Sequence, residues 1–85
     1  MKLEFDINAI EDLRYWIQID KKKAEKILKL VEEIFRNPFS GTGKPEPLKH
    51  MLTGCWSRRI DHEHRLVYKV EHDIIIILLC RYHYS

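Results

Sequence analysis

The stretch "DIIIILLCRYH", residues 73–83, decides the fold of this chain. From Ile74 to Cys80 it is apolar at odd and even positions alike, as in a strand that is covered on both faces. The run is far shorter than the roughly 20 residues that cross a bilayer, so no membrane contact is expected. We therefore predict a central strand that delivers His83 and Tyr84 to the rim of a sheet.

Two more strand-like runs precede this segment, "GCWSRRI" at 54–60 and "HRLVYKV" at 64–70. The short polar links "DHEH" and "EHD" between the three runs predict an antiparallel meander. At the other end of the chain, "KLEFD" alternates apolar and polar residues at Leu3 and Phe5, which predicts a first strand.

Two amphipathic helices are predicted between the first strand and the meander. The first carries apolar residues three to four apart and runs to about Asp20, which can cap the second helix; its apolar stripe is Ile7, Ile10, Leu13 and Ile17. The second helix closes before Pro38, and its stripe is Ala24, Ile27, Leu28, Val31, Ile34 and Phe35. The predicted fold class is α+β, strand-helix-helix followed by an antiparallel meander, with two helices packed on one face of the sheet.

Length and composition indicate one domain, 1–85, with a net charge of +2 and all five histidines in the second half. This balance suggests an anionic ligand but falls short of a free-standing nucleic-acid binder. Cys55 and Cys80 are expected on neighbouring strands as small core residues, and the lack of an apolar leader in "MKLEFDINAI" favours a cytoplasmic protein. The lysine run at 21–29 is either a solvated helix face or a contact for a polyanion.

Three kinds of polar residue are candidates for chemistry. Glu46 stands between Pro45 and Pro47, which hold its backbone extended and stiff. A set of basic residues shares one sheet face only if both hairpins pair odd residues with odd; its members are Arg59, Arg65, Arg81 and His83. The alternative is that some of these basic groups form rim ion pairs with Asp61, Glu63 or Glu71.

A metal site is disfavoured, because His62 and His64 have no second pair of ligands at a suitable spacing, and no cofactor is expected. Carboxylate, guanidinium and imidazole can instead cleave RNA, whose 2′-hydroxyl is a built-in nucleophile. Glu46, Arg65 and His83 can serve as base, phosphate stabiliser and acid, and Tyr82 or Tyr84 can stack on a base.

The combination "KPEPLKHMLTGCWSRRIDHEHRLVY" at 44–68 and "CRYHY" at 80–84 resembles the YoeB group of the RelE/ParE superfamily of bacterial toxins. The resemblance implies a ribosome-dependent mRNA interferase that cuts mRNA in the decoding site. It also implies that Glu46 is the general base, Arg65 the phosphate stabiliser and His83 the general acid. Lys49 and Tyr84 would assist at the phosphate and the substrate, with Arg59 as a further substrate contact.

The same resemblance implies a set of partners: a cognate YefM-type antitoxin, the ribosome, mRNA, a second copy in a homodimer, and operator DNA only indirectly through the antitoxin. Two alternatives stay open. One is a ParE-like toxin that binds DNA gyrase and cleaves nothing, and the other is a non-catalytic interaction module whose basic face pairs with an acidic partner.

Overall fold

The computed structural model describes residues 1–83, and its elements follow the predicted order. The elements are β1 (Lys2–Phe5), α1 (Ile7–Ile19), α2 (Lys21–Arg36), β2 (Glu46–Pro47), a 3₁₀ turn (His50–Leu52), β3 (Cys55–Arg59), β4 (His64–Glu71) and β5 (Ile74–His83). The predicted α+β class is confirmed, and β2 is an addition that the sequence pattern did not indicate.

The strands form one mixed sheet in the order β1-β5-β4-β3-β2. The predicted antiparallel meander of β3, β4 and β5 is confirmed, whereas β1 pairs parallel with β5. The middle strand is β4 rather than β5, which corrects the predicted central position, although β5 has a neighbour on each side. Ile75 and Ile77 are fully buried, but Ile74 and Ile76 are only half-buried because the helices cover one face alone.

Both helices pack on the same face of the sheet, as predicted, but α1 turns a different side to it. Ala9 and Trp16 are buried, while the predicted stripe is largely exposed, with Ile7, Ile10 and Ile17 facing solvent. The large indole of Trp16 outweighs these isoleucines, because it buries more area and donates a 2.8 Å hydrogen bond to the Cys80 carbonyl.

Helix α2 begins as predicted, with the Asp20 carboxylate accepting from the Lys23 backbone N–H at 3.3 Å. Its buried face is Ala24, Ile27, Leu30, Val31 and Ile34. The expectation that Leu28 and Phe35 belong to this face is wrong, since both lie about a quarter turn or more away from its centre and are exposed. Within residues 1–83, neither α1 nor α2 is long and apolar enough to span a membrane.

The two cysteines are free and buried, as predicted. They are not on neighbouring strands, however, because β4 lies between the strands of Cys55 and Cys80. Burial, reinforced by the nearby Asp12 carboxylate, raises the pKa of the Cys80 thiol to about 12. Cys80 therefore stays a neutral core residue at ordinary pH.

Candidate active site

The carboxylate of Glu46 and the guanidinium of Arg65 are in direct contact on the sheet face away from the helices. The Nη1 atom of Arg65 donates to Glu46 Oε1 at 2.6 Å and to the Ser57 hydroxyl at 3.1 Å. The Arg65 side chain is only 7% exposed, whereas that of Glu46 is 46% exposed. The Arg65 side chain is thus held in place by Ser57 within the sheet, whereas the Glu46 carboxylate can be reached by a ligand from solvent.

Strand pairing explains why Glu46 is held at this position. Glu46 lies opposite Ser57 of β3, and Pro47 lies opposite Trp56. Backbone hydrogen bonds flank the pair, one from Arg59 to the Gly43 carbonyl at 2.7 Å and one from Leu48 to the Cys55 carbonyl at 2.9 Å. The extended backbone predicted from the two prolines is therefore confirmed, and it forms a short edge strand.

The loop that leads from α2 to Glu46 is folded around Arg58, whose side chain is completely buried. Its guanidinium donates to the carbonyls of Asn37 at 2.6 Å, Ser40 at 2.9 Å and Thr42 at 3.2 Å, and to the Glu33 carboxylate at 3.1 Å. A backbone hydrogen bond from Thr42, together with Arg58, lowers the pKa of Glu33 against the opposing effect of burial. The sequence pattern gave no indication that Arg58 holds this loop together.

Tyr68 and a glycine complete the enclosure of this loop. The Arg58 Nε donates to the Tyr68 hydroxyl at 3.3 Å, and that hydroxyl donates to the Pro38 carbonyl at 2.6 Å. Gly41 has φ +125°, and a Cβ atom there would collide with the Glu33 carboxylate. The glycine-containing loop was the available signal that the chain folds tightly here around a buried group.

The register of the hairpins decides which basic residues share the face of Glu46. Between β3 and β4 odd residues pair with odd, so Arg59 lies opposite Arg65. Between β4 and β5 only two residues, His72 and Asp73, link the paired residues Glu71 and Ile74, and a link of even length pairs odd residues with even.

The register shifts twice along β5, and each shift reverses the parity. After both shifts, odd residues again pair with even residues at the end of β5 that lies beside Arg65. Tyr82 therefore lies opposite Arg65, and His83 lies opposite His64. The expectation of one shared face is correct for Arg59 and Arg65 and wrong for Arg81 and His83.

His83 lies instead on the α1 side of the strand end. Its Nε2 atom is 3.3 Å from a carboxylate oxygen of Glu63, and its ring is 5.9 Å from the ring of His64, which stacks edge-on against Trp16. Arg81 is on the same side, with its guanidinium 3.9 Å from the centre of the Tyr15 ring. The structure thus brings Glu46 and Arg65 together and leaves His83 on the opposite side of the sheet. Tyr84 lies outside the described residues.

An open groove of about 380 Å³ adjoins the Glu46 carboxylate. It is lined by Glu46, Pro47, Leu48, Lys49, His50, Leu52 and Tyr82. Lys49, predicted to assist, is in this groove, and so is Tyr82, whereas His50 was not anticipated. Within one concave surface the groove thus presents the ammonium group of Lys49, the aromatic rings of His50 and Tyr82, and the carboxylate of Glu46.

The acidic residues near the meander have partners other than the arginines. Asp61 contacts Lys23 and His64, Glu63 contacts His83, and Glu71 contacts Lys69. The alternative of rim ion pairs is confirmed for His83, which contacts Glu63, whereas Arg58 pairs with Glu33 and Arg65 with Glu46.

Two opposing effects act on the pKa of the Asp61 carboxylate. Burial opposes ionisation of Asp61, yet hydrogen bonds from His64 and from backbone N–H groups hold its pKa well below the usual range. Among residues 1–83, no three His, Cys, Asp or Glu side chains are grouped as metal ligands.

The order of elements, with two helices packed on a mixed five-stranded sheet, is the RelE/ParE-like fold of a class of toxins. The family described as "YoeB-like toxin of bacterial type II toxin-antitoxin system" matches residues 5–84. The chain therefore belongs to the YoeB family of type II toxin-antitoxin toxins.

Individual relatives agree with this assignment along the whole chain. The chain is 54% identical to toxin YoeB of Mycobacterium bovis over 82 residues, covering 96% of each protein. It is 52% identical to toxin YoeB of Escherichia coli K12 over 84 residues, covering 99% of this chain and 100% of the relative.

Solved structures share the fold closely. A YoeB/ParE toxin from Agrobacterium tumefaciens superposes with a TM-score of 0.92 at 43% identity, covering 99% of this chain and 100% of that one. A YoeB dimer and a heterotetrameric YoeB-YefM toxin-antitoxin complex, both from Staphylococcus aureus, give TM-scores of 0.88 and 0.85 at 50% identity, covering 99% of this chain and 98% of theirs.

Proposed function

We propose that this toxin is a ribosome-dependent mRNA endoribonuclease that cuts mRNA in the decoding site and so inhibits translation. The observation that carries the proposal is the 2.6 Å contact between Arg65 and Glu46 on an open sheet face. An RNA strand has its own nucleophile in the 2′-hydroxyl, so a base, a cation and an acid suffice for cleavage. No metal or cofactor has a role in this mechanism.

Glu46 is the proposed general base and Arg65 the proposed phosphate stabiliser. When a phosphate enters, its oxygens compete with the carboxylate for the arginine, whose position is fixed by Ser57. Glu46, released from the ion pair and half-exposed, is then free to take the proton of the 2′-hydroxyl. Arg59, opposite Arg65, and Lys49, in the adjoining groove, add positive charge along the RNA backbone.

His83 is the proposed general acid that protonates the leaving 5′-oxygen. It lies next to Tyr82 at the end of β5, and its side chain is 63% exposed and therefore has room to move. Because His83 starts on the other face of the sheet, the proposal requires its imidazole to turn away from Glu63 towards the face of Arg65 when RNA binds. Tyr82 already faces the groove and is proposed to stack on a base next to the scissile phosphate, with Tyr84 as a second contact that places the substrate.

The proposed partners are a YefM-type antitoxin, the ribosome, mRNA and a second copy of the chain. Solved complexes of the Staphylococcus aureus relative support the first, and its dimer supports the last. Contact with operator DNA is proposed only through the antitoxin, and the proposed place of action is the cytoplasm, where ribosomes and mRNA are found. A chain with a net charge of +2 makes few phosphate contacts by itself, so the ribosome supplies the docking.

Translating ribosomes programmed with a defined mRNA test this function. We expect cleavage in the decoding site by the wild-type toxin and loss of cleavage in Glu46→Ala, Arg65→Ala and His83→Ala. Growth arrest with intact mRNA and halted DNA supercoiling would instead identify a gyrase-binding toxin. Antitoxin binding without effect on either process would identify an interaction module.

A further inference from the structure

The outward face of α2 carries a cluster of four exposed lysines, here called the lysine patch: Lys21, Lys22, Lys26 and Lys29. They line a shallow surface groove together with Glu25 and lie away from the buried stripe of the helix. Lys23, the remaining lysine of the run, differs because it is partly buried and pairs with Asp61 at 3.2 Å. The patch is therefore a separate feature of the helix surface.

Ion pairing within the chain does not account for the patch. Among the ion pairs that residues 1–83 form, none includes a lysine of the patch. Of the described residues that line the groove, Glu25 alone is acidic, against four cations. A chain with a net charge of +2 thus concentrates unneutralised positive charge on one helix face.

Helix stability does not account for the patch either. Lys21 and Lys22 lie in the first turn, where the positive end of the helix dipole disfavours cations, and the one acidic residue beside them is the N-cap Asp20, since the turn itself contains none. Lys22 and Lys26 are four residues apart, a spacing at which like charges repel. Glu25 offsets part of this charge, since it stands four residues before Lys29, a spacing at which opposite charges attract. Lys22 and Lys26 remain at positions where they weaken the isolated helix, which points to an external anion.

We propose that the lysine patch binds the phosphate backbone of ribosomal RNA. The patch spans nine residues of helix, 21–29, a rise of about 12 Å along the axis, which matches a row of phosphates better than a single anion. Lysine is a flexible point charge that suits phosphates without base recognition, whereas protein-protein interfaces are depleted in lysine. An acidic protein surface is accordingly the less favoured ligand.

The patch and the Glu46-Arg65 site are on opposite sides of the molecule. Residues on the helix side of the sheet, such as Leu66 and Tyr68, belong to the same core as α2, whereas Arg65 points the other way. The RNA held by the patch is therefore not the strand being cut. The inference rests on the proposed function, because it assigns the patch to the docking of the toxin on the ribosome.

The experiment compares two triple variants that remove the same charge. The patch variant is Lys22→Gln/Lys26→Gln/Lys29→Gln, and the control variant is Lys2→Gln/Arg14→Gln/Lys69→Gln. Circular dichroism establishes that both are folded. Cleavage by each toxin is measured against the concentration of programmed ribosomes, over a series of monovalent salt concentrations.

We expect the patch variant to have a raised KM for ribosomes with an unchanged kcat. In a plot of log affinity against log salt concentration, the slope of the patch variant should be shallower by about 2–3 than that of wild type. Each lost phosphate contact reduces this slope by about 0.7–0.9. The control variant should keep the wild-type slope. Equal KM and equal slope in the two variants, with cleavage intact, would overturn the inference while leaving the proposed function standing.

Co-sedimentation with ribosomes separates the two hypotheses further. In a Glu46→Gln background, which removes the proposed base, the patch lysines should still strengthen ribosome binding. A patch variant that binds ribosomes normally but loses affinity for the antitoxin would assign the patch to a protein partner and overturn the inference. Absence of cleavage in wild type, with patch-dependent ribosome binding, would overturn the proposed function alone.

Discussion

Replacing Arg58 by methionine tests the arrangement that holds the loop before Glu46. Arg58→Met keeps an unbranched, flexible side chain, although a shorter one, and removes its charge and all its hydrogen-bond donors. The buried guanidinium makes hydrogen bonds to three loop carbonyls, to the Glu33 carboxylate and to the Tyr68 hydroxyl. In its absence these acceptors must find water or stay unsatisfied.

The magnitude follows from the burial of this group. Removing one partner of a buried, hydrogen-bonded ion pair typically costs about 3–5 kcal/mol. The Glu33 side chain is 31% exposed and can regain water, so we take about 4 kcal/mol as the central value. For a domain of this size that corresponds to a fall in Tm of about 15–30 °C, and it is a large share of a total stability of about 5–15 kcal/mol.

Urea unfolding followed by circular dichroism measures this effect, with Arg59→Met as the matched control. Arg59 is the next residue of β3 but is exposed, so its replacement should change stability by no more than about 0.5 kcal/mol. Both variants are compared with wild type at one protein concentration, because the proposed dimerisation would make stability concentration-dependent. Equal stabilities of Arg58→Met and Arg59→Met would refute the role given to the buried guanidinium.

Three further predictions concern activity and pH. Glu46→Gln should lower single-turnover cleavage on the ribosome by about 10²–10⁴-fold with little change in Tm, since its side chain is 46% exposed. His83→Gln should remove an imidazole-like limb from the pH dependence of cleavage, whereas Tyr82→Phe should keep that limb and preserve stacking. Cys80, with its pKa raised to about 12, should resist iodoacetamide at pH 8 in the folded protein and react once urea exposes it.

The pH dependence of stability follows from the raised pKa of Cys80. Its thiol stays protonated in the folded protein, while the unfolded thiol loses its proton from about pH 8.5 upwards. The unfolded state then binds fewer protons, so stability is lost as the pH rises above that value. Cys80→Ala should flatten this alkaline loss. A wild-type stability curve that is flat between pH 8 and 11 would contradict the raised pKa of Cys80. Separately, a limb of the pH-rate profile that survives in His83→Gln would contradict the role of His83 as general acid.

Local patterns predicted the elements well, because the period of apolar residues is a property of neighbouring positions. The face of α1 could not be predicted in the same way. Its isoleucines form the more regular stripe, but Trp16 and Ala9 are the residues that fit the sheet. That choice depends on shape complementarity with β5, which the helix sequence alone does not contain.

The pairing of Glu46 with Arg65 agrees with the expected cluster, but the position of His83 depends on a turn. Locating the β4–β5 link at His72 and Asp73 would have predicted the odd-even register next to the turn, but the face of His83 also depends on the two register shifts along β5, which the local pattern does not reveal. The burial of Arg58 was beyond local reasoning, because it requires the loop at 37–42 to fold back over β3. An arginine in an alternating strand reads as a surface residue until that loop is in place.

Cleavage of an mRNA with one altered sugar tests the central claim most directly. The cut site on programmed ribosomes is mapped with unmodified mRNA, and the nucleotide on its 5′ side is then replaced by its 2′-deoxy form. Attack by the 2′-hydroxyl predicts that cutting at this position disappears, and that the unmodified mRNA yields a 2′,3′-cyclic phosphate and a 5′-hydroxyl. Cutting of the 2′-deoxy mRNA at an undiminished rate would contradict the proposed mechanism.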